Sequence, residues 1–294
     1  FFFKQKTAYE IVDCDWSSDV CSSDLALRPY PQFTSGLAAV DAPLNTTWYN
    51  SLQSKVTKRF SHGIDASYSF TYQKSMTASN IQDVFNRQTG RGLDPGDQRL
   101  MSVIAFTYTV PKMRGINRML AYALYDWQVG SILTYASGIP ILAPAAQNLL
   151  ANAIGQGANA IRVPGVPLFL QDLNSGDVDP RRGFYLNPAA WAQPAAGQFG
   201  GPQYYGDYRQ QRQPTEAMNF GRNFKISERV TAQARVEFTN IFNRLRPNAP
   251  TSTNALAAQV QATSAAAVNT GFGAISWQNT TGMRQGQMVF RLSF

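Results

Sequence analysis

Hydrophobic and polar residues alternate with period two over several stretches of this chain. In one, Ile64, Ala66, Tyr68, Phe70 and Tyr72 interleave with Asp65, Ser67, Ser69, Thr71 and Gln73. In another, Val230, Ala232, Ala234, Val236 and Phe238 interleave with Thr231, Gln233, Arg235, Glu237 and Thr239. Side chains in a strand point to opposite faces in turn, so each run predicts a strand with one apolar and one polar face. Residues 98–110 set Ile104, Phe106, Tyr108 and Val110 against Val103, Ala105, Thr107 and Thr109. Around 125–135, Tyr125, Trp127, Val129, Leu133 and Tyr135 share a face, while 48–60 and 218–226 alternate less strictly. The last strand alternates backwards from Phe294, with Leu292, Phe290 and Met288 on one face and Ser293, Arg291, Val289 and Gln287 on the other. The sum is about seven strands.

The connections divide into two kinds. Short turns are expected at Ser61-His62-Gly63, at Pro111–Arg118 and at Ser227-Glu228. Long stretches rich in polar residues or in Gly, Pro, Ala and Asn fill 77–97, 137–217 and 244–271. Short turns on one rim and long loops on the other are the plan of an outer-membrane β-barrel, whose outward face is apolar and whose lumen is polar. The charges agree. Arg235 and Glu237 share the polar face of their strand, and an Arg on the lipid face near mid-bilayer would cost about 2–4 kcal/mol. Gln233, Arg235 and Glu237 are therefore the lumen-facing candidates. The alternative is a secreted antiparallel β-sandwich module with one solvated face, which produces the same alternation. No apolar run approaches the length of roughly 20 residues that a spanning helix needs.

Residues 1–25 share no pattern with the rest. Asp15–Leu25 (DWSSDVCSSDL) and Lys4–Ile11 (KQKTAYEI) resemble the in-frame translation of a sequencing-library adapter, a segment to be set aside in fold reasoning. A signal peptide would need an apolar central region, which this acidic stretch lacks. Both cysteines, Cys14 and Cys21, fall inside it, so no disulfide or CxxC chemistry is expected of residues 26–294.

The chain has 26 basic and 18 acidic residues. Residues 1–25 hold two lysines and five acids, so 26–294 carries 24 basic and 13 acidic residues, a net +11. The basic residues are scattered singly, without the patch or motif that nucleic-acid binding uses. Outer-membrane lipid and lipopolysaccharide are the expected anionic neighbours.

With those features in place, the chain resembles the C-terminal barrel of a TonB-dependent outer-membrane transporter, of the Oar-like group with a carboxypeptidase-regulatory-like domain. The similarity rests on Arg28–Phe33 (RPYPQF), Tyr49–Gln53 (YNSLQ), Lys58–Gly63 (KRFSHG), Asp126–Val129 (DWQV), Ser137–Pro140 (SGIP) and Leu186–Trp191 (LNPAAW). Its most specific part is Arg235–Asn243 (RVEFTNIFN), followed by the terminal strand. The resemblance implies an all-β fold, an antiparallel transmembrane barrel of about 22 strands of which these are roughly the last seven. It implies substrate uptake energised through TonB, with plug, TonB-contacting box and signal peptide upstream, and neither catalysis nor a cofactor. Met288, Phe290, Leu292 and Phe294 would then be read by the barrel-assembly machinery. An unplugged outer-membrane channel is the second reading.

Other constellations weigh less. Gly155–Ala160 (GQGANA) matches a dinucleotide fingerprint, but lacks the preceding strand and following helix. Asp94-Pro95-Gly96-Asp97 offers either two carboxylates to Ca²⁺ or a turn opening the next strand. Asn45-Thr46-Thr47 and Asn279-Thr280-Thr281 are glycosylation-type triplets without meaning in a bacterium. His62, the only histidine, falls in a solvated turn, so no His-based metal cluster or catalytic triad is expected. The tract 204–213 interleaves Tyr204, Tyr205 and Tyr208 with Arg209 and Arg212, a pattern that suits either an extracellular ligand or a membrane-rim loop.

Overall fold

The computed structural model describes residues 45–78, 86–111, 125–146, 158–175, 183–195, 198–227, 229–244, 247–264, 267–275 and 283–294. The segments 1–25 and Arg28–Phe33, most of Pro111–Arg118, Gly155–Gly157 and Asn279–Thr281 lie outside them. Its strands are β1 (Thr47–Ser61), β2 (Ile64–Thr77), β3 (Gly92–Leu93), β4 (Leu100–Thr109), β5 (Trp127–Ala136) and β6 (Pro140–Leu142). They continue with β7 (Ile161–Arg162), β8 (Trp191–Ala192), β9 (Tyr204–Arg209), β10 (Gln213–Lys225), β11 (Thr231–Thr239) and β12 (Gln285–Ser293). Among the described residues there is no α-helix, only the short 3-10 turns Arg87–Gly90 and Pro188–Ala190.

Seven long strands form one antiparallel meander in the order β1-β2-β4-β5-β10-β11-β12, with β3 added at the end of β2. These are the strands expected from the alternation. The bounds differ in three places. β10 starts at Gln213 instead of 218, because Pro214 and Glu216 break the apolar pattern while their backbone still pairs with Tyr135 and Leu133 of β5. Tyr125 and Asp126 form a turn before β5, with Asp126 at φ 61, and 119–124 lies outside the described residues. β11 ends at Thr239 and not at 243, next to the long stretch expected from 244, because Asn240 and Asn243, at φ 49 and φ 50, turn the chain away. Asn and Asp tolerate this left-handed region better than other side chains do.

The β1–β2 connection is the expected tight hairpin. Ser61 pairs with Ile64 across two residues, His62 at φ 55 and Gly63 at φ 81. Positive φ at both central positions is what a type I′ turn requires and what matches the twist of paired strands. A Cβ on Gly63 would lie 2.3 Å from the carbonyl oxygen of Thr109. This rim, holding 62–63, the end of β4, 226–227, 229–230 and the end of β12, is opposite the rim that carries the long connections.

Register makes the two faces continuous across the sheet. Val56, Tyr68, Ile104 and Leu133 lie in one row, and Val129, Phe220, Val236 and Met288 in another. All belong to the apolar face. The opposite face carries Lys55, Ser69, Thr107, Asn219, Gln233, Arg235 and Glu237, row for row. Arg91 sits 4.4 Å from the Trp48 ring near one rim, and Arg222 lies 5.7 Å from Trp127 and 4.9 Å from Phe224 near the other. Aromatic residues at both ends of an apolar band are the girdles of a membrane barrel. A β-sandwich would need a second sheet on that face. The other two sheets of the described residues, β6-β9 and β7-β8, have two strands each and belong to the long connections. The outer strands β1 and β12 do not pair with each other, so the sheet is open, and β1 is exposed along its whole length.

The buried core lies in those connections and not in the sheet. Ile141, Leu168, Tyr185, Leu186, Trp191, Tyr208, Phe272 and Ile275 cluster together, drawn from both long connections. Of the stretches 137–217 and 244–271, expected as irregular loops, the described residues up to 212 and from 247 fold into a module. Isolated bridges, Phe169 to Leu186 and Val260 to Thr270, hold its segments. Its strands are two, three or six residues long, too short for most of them to leave a period in the sequence. The motif Leu186–Trp191 is a capped turn of this core: Asn187 Oδ1 accepts from the Ala189 N–H at 3.1 Å, and Asn187 Nδ2 donates to the Pro167 carbonyl at 2.8 Å.

Candidate ligand surface at the loop-bearing rim

The recognition tract 204–213 is mostly β9, which pairs with β6 in a two-stranded sheet of the module. The side chains of β9 divide between core and surface, and its pairing with β6 has a register shift. Tyr208 is fully buried, its ring 5.2 Å from Trp191 and 5.6 Å from Phe169. Tyr205 packs edge-on against Trp191 at 5.7 Å, and Tyr204 is half-buried. Asp207, pointing outward, pairs with Arg162 at 2.8 Å.

Arg209 is a clasp. Its guanidinium reaches the Asp97 carboxylate at 2.5 Å and donates to the carbonyls of Asp97 at 2.7 Å and Gly138 at 3.1 Å. Its Nε donates to the Gly206 carbonyl at 2.8 Å. Asp97, 1% exposed, also accepts from the Ser75 N–H of β2 at 2.7 Å. Asp94 Oδ1 accepts from the Gly96 N–H at 2.8 Å, so 94–97 is a turn that delivers Asp97 to the clasp. Gly138 is required where the chain passes closest, since a Cβ there would lie 1.8 Å from the Gln210 carbonyl oxygen. In the tract, therefore, only Arg212 is exposed among the three tyrosines and two arginines singled out in the sequence. Asn174 Oδ1 accepts from its N–H at 3.0 Å and its Nε at 3.3 Å.

Sequence reasoning missed a second ion pair at this rim. Glu216 of β10 is 0% exposed although it occupies the apolar face, directly opposite Leu133. Arg244 Nε donates to both carboxylate oxygens, at 3.0 and 2.9 Å, and the Tyr135 hydroxyl donates to one at 3.1 Å. The signal available in the sequence was a carboxylate two residues before Met218, in the apolar parity, followed by an Arg just past a strand end.

Tyr204, Tyr205 and Tyr208 all have phenols pushed above their ordinary value of 10.0, each chiefly by burial, with the Arg162 charge opposing the rise at Tyr205. In the unfolded chain they ionise at the ordinary value. Their neutral, folded form thus contributes stability that is complete below pH about 10 and is lost as pH rises further. The module should loosen in alkali above that pH while the sheet persists. Near-ultraviolet circular dichroism beside far-ultraviolet signal reads the two separately, and simultaneous loss would contradict it.

On the polar face, Arg235 and Glu237 pair at 2.6 Å, and Gln287 Nε2 donates to Glu237 at 2.5 Å. Gln233 shares that face, opposite Arg291. On the other, Met288, Phe290 and Leu292 are exposed along β12, and Phe294 is 96% exposed.

A family model described as outer membrane beta barrel domain matches residues 12–287. The match takes in the second half of the stretch 1–25 and stops before the terminal stripe. No curated protein and no solved structure matches the chain.

Proposed function

From a chain that belongs to the outer membrane beta barrel domain family and resides in the outer membrane, we propose the C-terminal barrel portion of an Oar-like, TonB-dependent receptor that takes up a substrate. The observation that carries this reading is the folded module on the loop-bearing rim. A receptor that selects a ligand before transport needs a preformed outer surface, because ordering a loop at the moment of binding costs affinity. The clasp of Asp97 and Arg209 and the core around Trp191 and Tyr208 supply that order in advance. The motifs behind the resemblance also have physical duties here. Ser137–Pro140 brings Gly138 to the clasp, Leu186–Trp191 caps the core turn, and Arg235–Asn243 carries the polar-face ion pair.

In this reading the polar face lines the lumen, with Gln233, Arg235 and Glu237 toward the plug. Contact with TonB is made by parts of the protein outside this chain. The stripe ending at Phe294 is the surface that the assembly machinery engages. No bond is made or broken on the substrate. The test uses the complete protein in its own outer membrane. Uptake should stop when TonB is deleted or the proton gradient is collapsed, while binding at the cell surface persists. Steady ion conductance of the purified protein in planar bilayers, with uptake indifferent to TonB, would replace this reading with an unplugged channel.

A further inference from the structure

A cleft of about 830 Å³ opens where the module overhangs the sheet. Its sheet side, the floor, includes Phe70, Leu100 and Tyr135, and its loop side includes Leu173, Arg212 and Arg244. The floor residues all belong to the apolar face: Phe70 stands opposite Ser102, which stands opposite Tyr135, and Leu100 stands opposite Tyr72. The cleft therefore lies on the side of the sheet that meets lipid, at the rim of the outer leaflet, and not in the lumen.

Its charge is one-sided. Asn174 engages only the backbone N–H and Nε of Arg212, so its two terminal nitrogens have no partner among the described residues. Arg244 uses Nε for Glu216, and its side chain remains 52% exposed. Among the described residues, the two guanidiniums against one carboxylate leave a net positive charge over an apolar floor. Guanidinium forks suit phosphate oxygens, which they hold by paired charge-assisted hydrogen bonds. A free anion has no use for the apolar floor, and a neutral lipid has none for the arginines.

We infer that this cleft binds a phosphorylated, acylated glycolipid of the outer leaflet, of the lipid A class. The phosphate would lie on Arg212 and Arg244, and an acyl chain along Phe70, Leu100 and Tyr135, continuous with the lipid-covered band. The inference rests on the apolar face being the lipid face and is independent of TonB-driven transport.

The test is native mass spectrometry of the complete protein in detergent micelles with added lipid A, dephosphorylated lipid A, or inorganic phosphate. Lipid A should bind at least about tenfold more tightly than its dephosphorylated form, as expected when hydrogen bonds to a charged group are lost. Arg212→Gln, at an exposed position outside the sheet, should lower lipid A affinity about tenfold and leave the dephosphorylated form unchanged. Ser102→Phe, which fills the floor, should weaken both lipids. Heat-modifiable gel mobility verifies that both variants fold. Equal binding of the two lipids, an unchanged Arg212→Gln, an unchanged Ser102→Phe, or displacement of lipid A by inorganic phosphate at comparable concentration would each overturn the inference. Uptake that still depends on TonB in the Ser102→Phe variant separates this failure from failure of the transport reading.

Discussion

Asp97→Ala is expected to destabilise the loop module by about 3–5 kcal/mol, the usual cost of removing one partner from a buried ion pair. The clasp is well enclosed: Asp97 is 1% exposed and Arg209 keeps only 15% of its side chain in solvent. Without the carboxylate, the Ser75 N–H loses its acceptor and the Arg209 charge stays beneath the module with only carbonyls around it. The pair joins elements far apart in sequence, the end of β2, the turn before β4 and β9, so its loss should free the module while the seven-strand sheet remains. Limited proteolysis within 139–210, with denaturant titration of the purified protein, measures both effects. Asp97→Ala combined with Arg209→Leu should regain part of the loss, because the uncompensated charge is gone. If the single variant resists protease like the parent, the clasp does not hold the module.

Val236→Arg should cost about 2–4 kcal/mol when the protein is unfolded from lipid vesicles, whereas Gln233→Arg should cost no more than about 1 kcal/mol. Both positions are in β11, three residues apart and on opposite faces. Val236 lies between Phe220 and Met288 on the apolar face, where a guanidinium would meet acyl chains. Gln233 faces Arg291, so the new guanidinium meets a like charge across the strand pair, but it does so on the wet face, where water screens that repulsion to within about 1 kcal/mol. Equal costs at the two sites would mean that both faces meet the same solvent.

These two variants also mark the line between what was legible in the sequence and what was not. β2 and β11 were visible because one face is apolar at every second residue, and register then carried the same parity through all seven strands. Glu216 was hidden because its carboxylate breaks that parity, and the reason it is tolerated, Arg244, comes 28 residues later from beyond another strand. The module was hidden for a different reason. Its core is assembled from single residues such as Ile141, Tyr185 and Phe272 on bends and very short strands, which have no repeating spacing. The tyrosine–arginine tract was visible as composition only. Its inward and outward sides depend on β9 pairing with β6, a contact between segments more than 60 residues apart. What composition suggested as one binding surface is divided by that pairing into core (Tyr208), clasp (Arg209) and an exposed guanidinium (Arg212).

The central claim is that one sheet face is covered by lipid and the other is wet. Cysteine scanning along 231–239, after Cys14 and Cys21 are replaced by serine, tests it most directly. Each single-cysteine protein is folded into vesicles, labelled with a fluorophore, and exposed in turn to a quencher on lipid acyl chains and to a water-soluble one. Residues 232, 234, 236 and 238 should be quenched from the acyl chains, and 233, 235 and 237 from water, with a strict period of two. Uniform aqueous quenching along the strand would contradict the account.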